Sequence, residues 1–338
     1  LKGTNIGFFG YISGATITNI NFNGINIVGL NNIGVLAGTG TGNFIVQQIS
    51  VVNGVISGAN QNLGGLIGNA GDGSIDRSWV KLDVSGKVNV GGLVGNGTNN
   101  ISTSYYVGNV TGQSYVGGVI GKMSASTSRK LENSFALGSL TGQETSSCDC
   151  GGLVGYSNSN YQLINSYASN KLSIVSTSTY RGGLVGFGPS VVTSSYYDGV
   201  VAGYAPQTTT DISRNTTAMK VQATYMGWNF TDVWQIDEGQ SYPYLRGLPR
   251  PDQVQDGLPV DDVAGGDGSA ANPYQVATKE QMKLVKYNPT ANYVLIADID
   301  LANEAWSPIG QTINAPFKGS LEGGNHRISN LKIDTANT

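Results

Sequence analysis

The sequence predicts an all-β protein, a parallel β-solenoid (β-helix) built from repeats of 26 to 34 residues, with a small helical cap segment. Two observations predict it. A glycine-bracketed aliphatic motif recurs along the chain at a nearly constant spacing, and a serine followed by an aromatic residue recurs after most copies of that motif. Self-similarity at such a period is the signature of stacked repeat architectures.

The first motif has the form Gly-Gly-aliphatic-aliphatic-Gly. Seven copies, the first two of them degenerate, follow one another at steps of 28, 30, 27, 26, 34 and 31 residues. The two degenerate copies are Ile6-Gly7-Phe8-Phe9-Gly10 and Gly34-Val35-Leu36-Ala37-Gly38. The complete copies are Gly64-Gly65-Leu66-Ile67-Gly68, Gly91-Gly92-Leu93-Val94-Gly95, Gly117-Gly118-Val119-Ile120-Gly121, Gly151-Gly152-Leu153-Val154-Gly155 and Gly182-Gly183-Leu184-Val185-Gly186.

The second motif predicts how the repeats stack. A single repeat cannot bury its own apolar face, but repeats piled on one another can, and equivalent residues then form columns. An up-and-down barrel or a sandwich is the alternative, although neither explains a single-repeat period. The aromatic residues of the second motif are expected to form one core column: Trp79, Tyr105, Phe135, Tyr167 and Tyr196.

The position after each of these aromatic residues is predicted to face outward. Tyr106 and Tyr197 occupy it in two repeats and small or aliphatic residues in the others. If tyrosines of this motif were exposed, they could stack on sugars or on another protein.

The composition excludes several classes of function. The chain has 19 Lys and Arg against 22 Asp and Glu, too few clustered cations for a nucleic-acid partner. A single His excludes a multi-histidine metal centre and disfavours a histidine-dependent triad. No run of 18 apolar residues indicates a membrane span. Cys148 and Cys150 are either a strained loop disulfide or a pair of thiols.

The glycine motif resembles the GLUG repeat, which occurs in large bacterial surface proteins, including adhesin-like and IgA-peptidase-like proteins. The resemblance covers roughly residues 6–203 and extends to both flanks. It implies a scaffold of the extracellular or cell-surface type. Residues 217–247 resemble the segment that closes such arrays, through Gly227-Trp228-Asn229-Phe230, Val233-Trp234-Gln235-Ile236-Asp237 and Tyr242-Pro243-Tyr244-Leu245. Residues 268–331 resemble the segment that opens them, through Asp298-Ile299-Asp300-Leu301, Trp306-Ser307-Pro308-Ile309-Gly310 and Phe317-Lys318-Gly319-Ser320-Leu321.

The order of these flanks predicts the domain organisation. The opening segment follows the closing one, so the chain resembles one register-shifted period of a tandem array. We expect solenoid repeats over 1–204, a closing cap over 205–247, a linker over 248–268, and an opening cap with first coils over 269–338, with a helix near 278–287. End-to-end self-association, as a filament or a tandem array, is the expected partnership.

The polar residues that could carry chemistry are predicted to be structural. His326 is expected in a turn, and Asp298 and Asp300 are expected to cap turns rather than to form a paired-carboxylate or cation site. No catalytic, cofactor-binding or metal-binding residue is therefore predicted, and no cofactor. The acidic residues of the linker could hold Ca²⁺ but lack a recognisable ligand spacing: Asp256, Asp261, Asp262 and Asp267.

The function predicted from these observations is structural, not enzymatic: a segment of a cell-surface adhesin, or a subunit of an extracellular filament or sheath. A host or matrix glycan or protein receptor is a further expected partner. One alternative is a glycan- or ligand-binding solenoid module. The other is a carbohydrate-active β-helix enzyme, for which the candidate acids are Asp76, Asp83, Asp149 and Asp198.

Overall fold

The structure is a computed structural model that describes residues 3–123, 128–144, 148–157, 161–175, 180–188, 190–203, 212–251, 263–288, 290–304, 309, 317 and 319–331. The chain divides into two compact units, Leu1–Leu248 and Pro249–Thr338. The first unit is a parallel β-solenoid, as the repeats predict. Its described residues form seven coils, and each coil contributes strands to three sheets, here named A, B and C.

Strands of successive coils pair in parallel and in register. Sheet A contains Thr4–Ile6, Asn31–Ile33, Gln61–Gly64, Val88–Gly91, Ser114–Gly117, Cys150–Gly151 and Arg181–Gly182. Sheet B contains Phe9–Ser13, Ala37–Thr41, Ile67–Ala70, Val94–Gly97, Ile120–Met123, Val154–Ser157 and Val185–Phe187.

Sheet C has one long strand in each of the first two coils and two shorter strands in each later coil. The long strands are Thr16–Gly29 and Phe44–Gly58. The shorter strands are Gly73–Asp76 and Trp79–Ser85, Asn100–Ser102 and Tyr105–Gly112, Lys130–Glu132 and Phe135–Gly142, Tyr161–Ile164 and Tyr167–Ile174, and Ser190–Thr193 and Tyr196–Asp198, with Ser213–Arg214 at one edge.

The glycine motif forms the corner between sheets A and B, where the two backbones approach closely. A Cβ placed on Gly91 would lie 2.1 Å from the carbonyl oxygen of Val94, and one on Gly121 would lie 2.4 Å from the backbone nitrogen of Val90. No side chain fits at those distances. The repeated glycines are therefore required by backbone packing.

The position after each motif aromatic points into the solenoid, toward the second glycine of the corner. A Cβ on Gly92 would lie 2.2 Å from the ring of Tyr106, whose hydroxyl donates to the carbonyl oxygen of Leu82 at 2.8 Å. Tyr197 occupies the same place opposite Gly183. The prediction that Tyr106 and Tyr197 face outward is wrong, because both rings are buried in the interior cluster.

The serine of the second motif forms a buried column of its own. The amide of Ser78 donates to Ser104 Oγ at 3.1 Å, and the amide of Ser104 donates to Ser134 Oγ at 3.2 Å. Ser166 and Ser195 continue the pattern. Each hydroxyl also donates to the carbonyl oxygen two residues before it, for example Ser134 to Glu132 at 2.8 Å. These hydrogen bonds satisfy backbone groups at a corner where the sheet C strands are interrupted.

The chain after the last coil forms short elements that complete the first unit. Helix Gly199–Ala202 is capped by Asp198, which accepts from the amides of Val200 and Val201. The remaining elements are the 3₁₀ helices Ala218–Lys220 and Gln222–Thr224 and the antiparallel strands Trp234–Gln235 and Tyr244–Leu245.

The second unit contains a helix and short parallel strands around a small core. Helix Lys279–Leu284 begins with a capping box between Thr278 and Gln281, and the 3₁₀ helix Val285–Tyr287 follows it. Val276, Met282 and Tyr293 are among the buried residues of the core. One described sheet contains Tyr274–Val276, Asn292–Leu295 and Ser320–Glu322, and the other contains Ile299–Asp300 and Ile328–Ser329.

Candidate functional site

The motif aromatics form a stacked column on the outer face of sheet C. The rings of Trp79 and Tyr105 are 5.7 Å apart, those of Tyr105 and Phe135 4.8 Å, and those of Phe135 and Tyr167 4.9 Å. Successive side chains of a strand point to opposite faces. Because Val80 and its equivalents fill the interior, this column lies outside the coils.

The segment after the last coil, residues 212–247, is here called the closing segment, and it covers this column. The ring of Trp234 lies 6.0 Å from Phe135 and 6.1 Å from Tyr167, and the indole nitrogen of Trp228 donates to the carbonyl oxygen of Ser194 at 2.7 Å. The hydroxyl of Tyr167 donates to the carbonyl oxygen of Pro243 at 2.8 Å. The column is buried, as predicted, but beneath the closing segment rather than inside the solenoid. It offers no surface for stacking on sugars.

A second column consists of asparagines on sheet A in the first four coils. Asn32 Nδ2 donates to Asn5 Oδ1 at 2.8 Å, Asn62 to Asn32 at 2.7 Å, and Asn89 to Asn62 at 2.6 Å. All four residues have positive φ, between 50° and 63°. Asparagine tolerates that conformation better than most residues. This asparagine ladder joins neighbouring coils through side-chain amides.

The ladder ends at the fifth coil, where Tyr115 stands in register with Asn89. Asp149 and Tyr180 occupy the same position in the next two coils. Asn89 is 7% exposed, and its Oδ1 has no hydrogen-bond partner among the residues that the structure describes. In the preceding coils, each asparagine Oδ1 accepts a hydrogen bond from the side-chain amide of the next coil. Tyr115 has no side-chain amide at that position and does not donate to Asn89.

The neighbouring column on sheet B changes character at the same coil. Asn96 Nδ2 donates to Asn69 Oδ1 at 2.8 Å, and Lys122, Tyr156 and Phe187 follow in register. The two columns meet across the corner between sheets A and B. We define the aromatic platform as Tyr115, Lys122, Tyr156, Tyr180 and Phe187.

The platform residues contact one another and remain accessible to solvent. The rings of Tyr115 and Tyr156 are 5.1 Å apart, and those of Tyr180 and Phe187 are 4.4 Å apart. The ammonium of Lys122 lies 5.3 Å from the Tyr115 ring and 5.5 Å from the Tyr156 ring. Tyr180 is 43% exposed and Phe187 42%. Burial, with the nearby charge of Asp149 and then Tyr156, raises the pKa of Tyr115 above its ordinary value.

The sequence analysis missed the platform, although a positional signal was available. Asn62, Asn89 and Tyr115 each stand two residues before the first glycine of a complete motif, and Lys122 and Tyr156 each follow the third glycine directly. Comparing these two flanking positions between repeats would have shown the change from amide to aromatic side chains.

The acids considered for a carbohydrate-active enzyme have local structural contacts. Asp76 accepts from the Ser102 hydroxyl at 2.7 Å, and Asp83 accepts from the Asn109 amide at 2.9 Å. Asp198 caps a helix and accepts from the Tyr242 hydroxyl at 2.7 Å. These three belong to sheet C, whereas Asp149 lies in the sheet A column and is 7% exposed.

The polar candidates of the second unit lie at turns. Asp298 accepts from the Arg327 amide at 3.0 Å, which with the neighbouring His326 lowers the pKa of Asp298. Asp300 accepts from the Ala302 amide at 2.8 Å, and this hydrogen bond lowers the pKa of Asp300. The amide of His326 donates to the carbonyl oxygen of Gly323 at 2.7 Å.

The linker acids are only partly described. Asp267 accepts from the Ser269 amide at 2.9 Å, and the hydrogen bonds from Ser269 lower the pKa of Asp267. Asp256, Asp261 and Asp262 lie outside the described residues. In the part of the chain that the structure describes, no group of three or more His, Cys, Asp or Glu side chains is placed to hold a metal ion.

Cys148 and Cys150 are joined as a disulfide, with their Cα atoms 5.3 Å apart, and both are buried. Among the described residues, no helix has the length and apolar character needed to cross a bilayer.

Comparisons with known proteins give limited matches. No family model matches the chain, so the resemblance to GLUG repeats rests on the motifs alone. An alignment of 92 positions, which covers 24% of this chain and 1% of the other protein's length, gives 32% identity to halomucin from Haloquadratum walsbyi. A solved structure named "putative immunoglobulin A1 protease", from Bacteroides ovatus, is 17% identical. That comparison covers 70% of this chain and 75% of the other, with a TM-score of 0.46.

The prediction that the protein is not an enzyme is contradicted and is withdrawn. The finding against it is that the similar solved structure carries the name of a protease. The name belongs to that protein, and an identity of 17% does not transfer its activity to this chain.

Proposed function

We propose that the chain is a structural segment of an extracellular or cell-surface repeat protein, and that its first coil docks onto the second unit of a further copy. The observation that carries the proposal is that apolar residues of the first coil are less buried than their partners in the second coil. Ile20 and Phe22 are only partly buried, whereas their partners in the second coil, Ile49 and Val51, are fully buried. Interior positions of the first coil thus lack a covering layer that the second coil has.

The strand edges of the first coil are also unpaired within the described residues. Its strands Thr4–Ile6, Phe9–Ser13 and Thr16–Gly29 pair only with the second coil. A free edge presents unpaired N–H and C=O groups to any complementary strand. Apolar burial and hydrogen bonding therefore both favour a further coil on this side.

The second unit has a coil of matching dimensions. Residues 292 and 320 are paired, as are 299 and 328, so its period is 28 to 29 residues, within the range of the solenoid repeats. Ser320–Glu322 and Ile328–Ser329 are edge strands of the described sheets. Leu321 and Ile328 are each 40% exposed and Leu331 56%, which is apolar surface suited to burial.

The local conformation supplies a register for the contact. Asn330 has φ 55° at the end of Ile328–Ser329, and Asn19 has φ 59° within the first strand of sheet C. Ile328-Ser329-Asn330-Leu331 thus corresponds to Ile17-Thr18-Asn19-Ile20. We expect Ile328 opposite Ile17 and Asn330 opposite Asn19. A heterologous contact of this kind generates open fibres between separate chains. In a tandem array the same two surfaces would meet within one polypeptide.

Three observations support an extracellular or surface location. Only 12% of the residues are charged, and the stretch of similarity is to halomucin, a surface protein. A disulfide between Cys148 and Cys150 is a type of bond that persists in oxidising compartments. The fold supports the proposed mechanical role, because hydrogen-bonded parallel coils make a stiff spacer.

Sedimentation velocity over a range of concentrations, with electron microscopy of the same samples, tests the association. We expect the native chain to form linear oligomers, and Ile20→Lys and Leu331→Lys each to keep it monomeric. Leu331 is exposed, so its variant should fold even if Ile20→Lys does not. Val55→Lys is the matched control, because Val55 is 46% exposed on the second coil, away from the proposed contact. A native chain that stays monomeric at every concentration, or equal effects of all three variants, would overturn the proposal.

A further inference from the structure

We infer that the aromatic platform binds an acidic polysaccharide. The platform begins at the coil where the asparagine ladder ends. The asparagine ladder joins the first four coils, and Tyr115 interrupts it, so that no donor in the described part of the chain reaches the buried Asn89 Oδ1. An unsatisfied buried acceptor destabilises a fold. A departure from a local rule with no structural gain is expected at functional sites.

The platform aromatics are not needed to fill a core. The interior of the same coils is occupied by Val116, Ile120 and Val154, which are fully buried. Tyr180 and Phe187 keep more than two fifths of their surface exposed. Apolar side chains that are gathered and accessible mark an interaction surface.

The chemistry of the platform indicates the ligand class. Aromatic faces pack against the C–H faces of sugar rings, and a tyrosine hydroxyl can form hydrogen bonds at the rim of such a site. Lys122 lies over two tyrosine rings and, among the described residues, forms no ion pair. Asp149, in the column of Tyr115, is 7% exposed, whereas Lys122 is more exposed and its positive charge can meet a carboxylate carried by the ligand. The combination favours a sugar chain that bears uronic acids over a neutral one.

The arrangement along the solenoid favours an extended ligand. Platform residues come from three successive coils, and neighbouring coils of such a stack lie about 4.8 Å apart. The site therefore runs parallel to the solenoid axis as a row, which suits successive rings of a polymer. The end-to-end contact involves the first coil, so either proposal can fail without the other.

Isothermal titration calorimetry of the full chain with an alginate oligosaccharide, in a chelating buffer, tests the inference. We expect alginate to bind and an uncharged maltooligosaccharide of the same length to bind at least about tenfold more weakly. Tyr180→Ala/Phe187→Ala should weaken alginate binding by about tenfold or more. Lys122→Met keeps the apolar stem, and it should remove the preference for alginate over the neutral oligomer.

Tyr11→Ala is the matched control, because Tyr11 is an exposed tyrosine, 68% accessible, on the first coil. It should bind alginate as the native chain does. Thermal unfolding of each variant checks that it is folded. No binding of alginate, unchanged binding by the folded double variant, or a preference that survives Lys122→Met would each overturn the inference.

Discussion

The backbone amide of Ser104 donates to the hydroxyl oxygen of Ser134, thirty residues further along the chain and one coil away. Both residues are fully buried. The hydrogen bond connects two coils at the corner where the sheet C strands are interrupted, so no strand ladder can satisfy this amide. Here the hydroxyl oxygen of Ser134 accepts the hydrogen bond that a carbonyl oxygen accepts within the sheets.

Replacing Ser134 by Ala should destabilise the first unit. The substitution leaves the buried Ser104 amide without an acceptor, which costs about 1–3 kcal/mol of unfolding free energy. Urea unfolding followed by circular dichroism measures the loss. Ser139→Ala is the control, because that hydroxyl is on the surface and donates to Asn109, and its effect should stay within about 0.5 kcal/mol. Equal losses would show that the serine column does not contribute.

Replacing Trp234 by Ala should uncover the aromatic column. Trp234 is fully buried and packs on Phe135 and Tyr167, so we expect a loss of about 3–5 kcal/mol and a reduced near-ultraviolet circular dichroism signal. Met226→Ala is the matched control in the same segment, because Met226 is 76% exposed. If both variants unfold at the same urea concentration, the closing segment does not cover the column in solution.

Replacing Tyr115 by Asn should extend the asparagine ladder. The new amide can donate to Asn89 Oδ1, and asparagine suits the φ of 57° better than tyrosine does. We expect a net stabilisation of about 0.5–1.5 kcal/mol, together with weaker binding at the platform. Tyr115→Phe, which supplies no donor, should leave the stability within about 0.5 kcal/mol of the native chain. A Tyr115→Asn chain no more stable than Tyr115→Phe would contradict this account of the orphaned oxygen.

Stability should fall at alkaline pH, in part through Tyr242. Burial, with the carboxylate of Asp198, raises the pKa of Tyr242 from 10.0 to about 12. The folded state therefore holds this proton more tightly than the unfolded chain. The associated stability is complete below pH 10 and is lost as the pH rises through about 12. Thermal unfolding between these values should show a smaller alkaline loss in Tyr242→Phe, and an unchanged pH profile would refute the assignment.

The repeat period and the parallel solenoid could be predicted from the sequence because the glycines mark a corner that no other residue can form. The two faces of the sheet C strands could not be told apart. Tyr105 and Tyr106 are both aromatic and adjacent, so each face looks apolar. Which face became the interior depended on Gly92, which leaves room for Tyr106, and on Trp234, which covers the other side.

The aromatic platform could not be predicted from the sequence, for a different reason. Tyr115, Lys122 and Tyr156 are separated along the sequence and come together only through register between coils. The asparagines at equivalent positions look like ordinary turn residues until their side chains are seen to connect. A site built from one residue per coil leaves no contiguous motif.

The closing segment gives the solenoid a mechanical polarity. It acts as a strap across the later coils, with Trp234 against Phe135 in the fifth and Trp228 against Tyr196 in the seventh. The described ring contacts of this segment reach no residue of the first two coils. Under tension along the axis, we expect the coils to unfold in order from the first coil, and we expect unfolding to stop at the coils that the closing segment covers. Such a molecule yields at a low force at one end and keeps its remaining length intact.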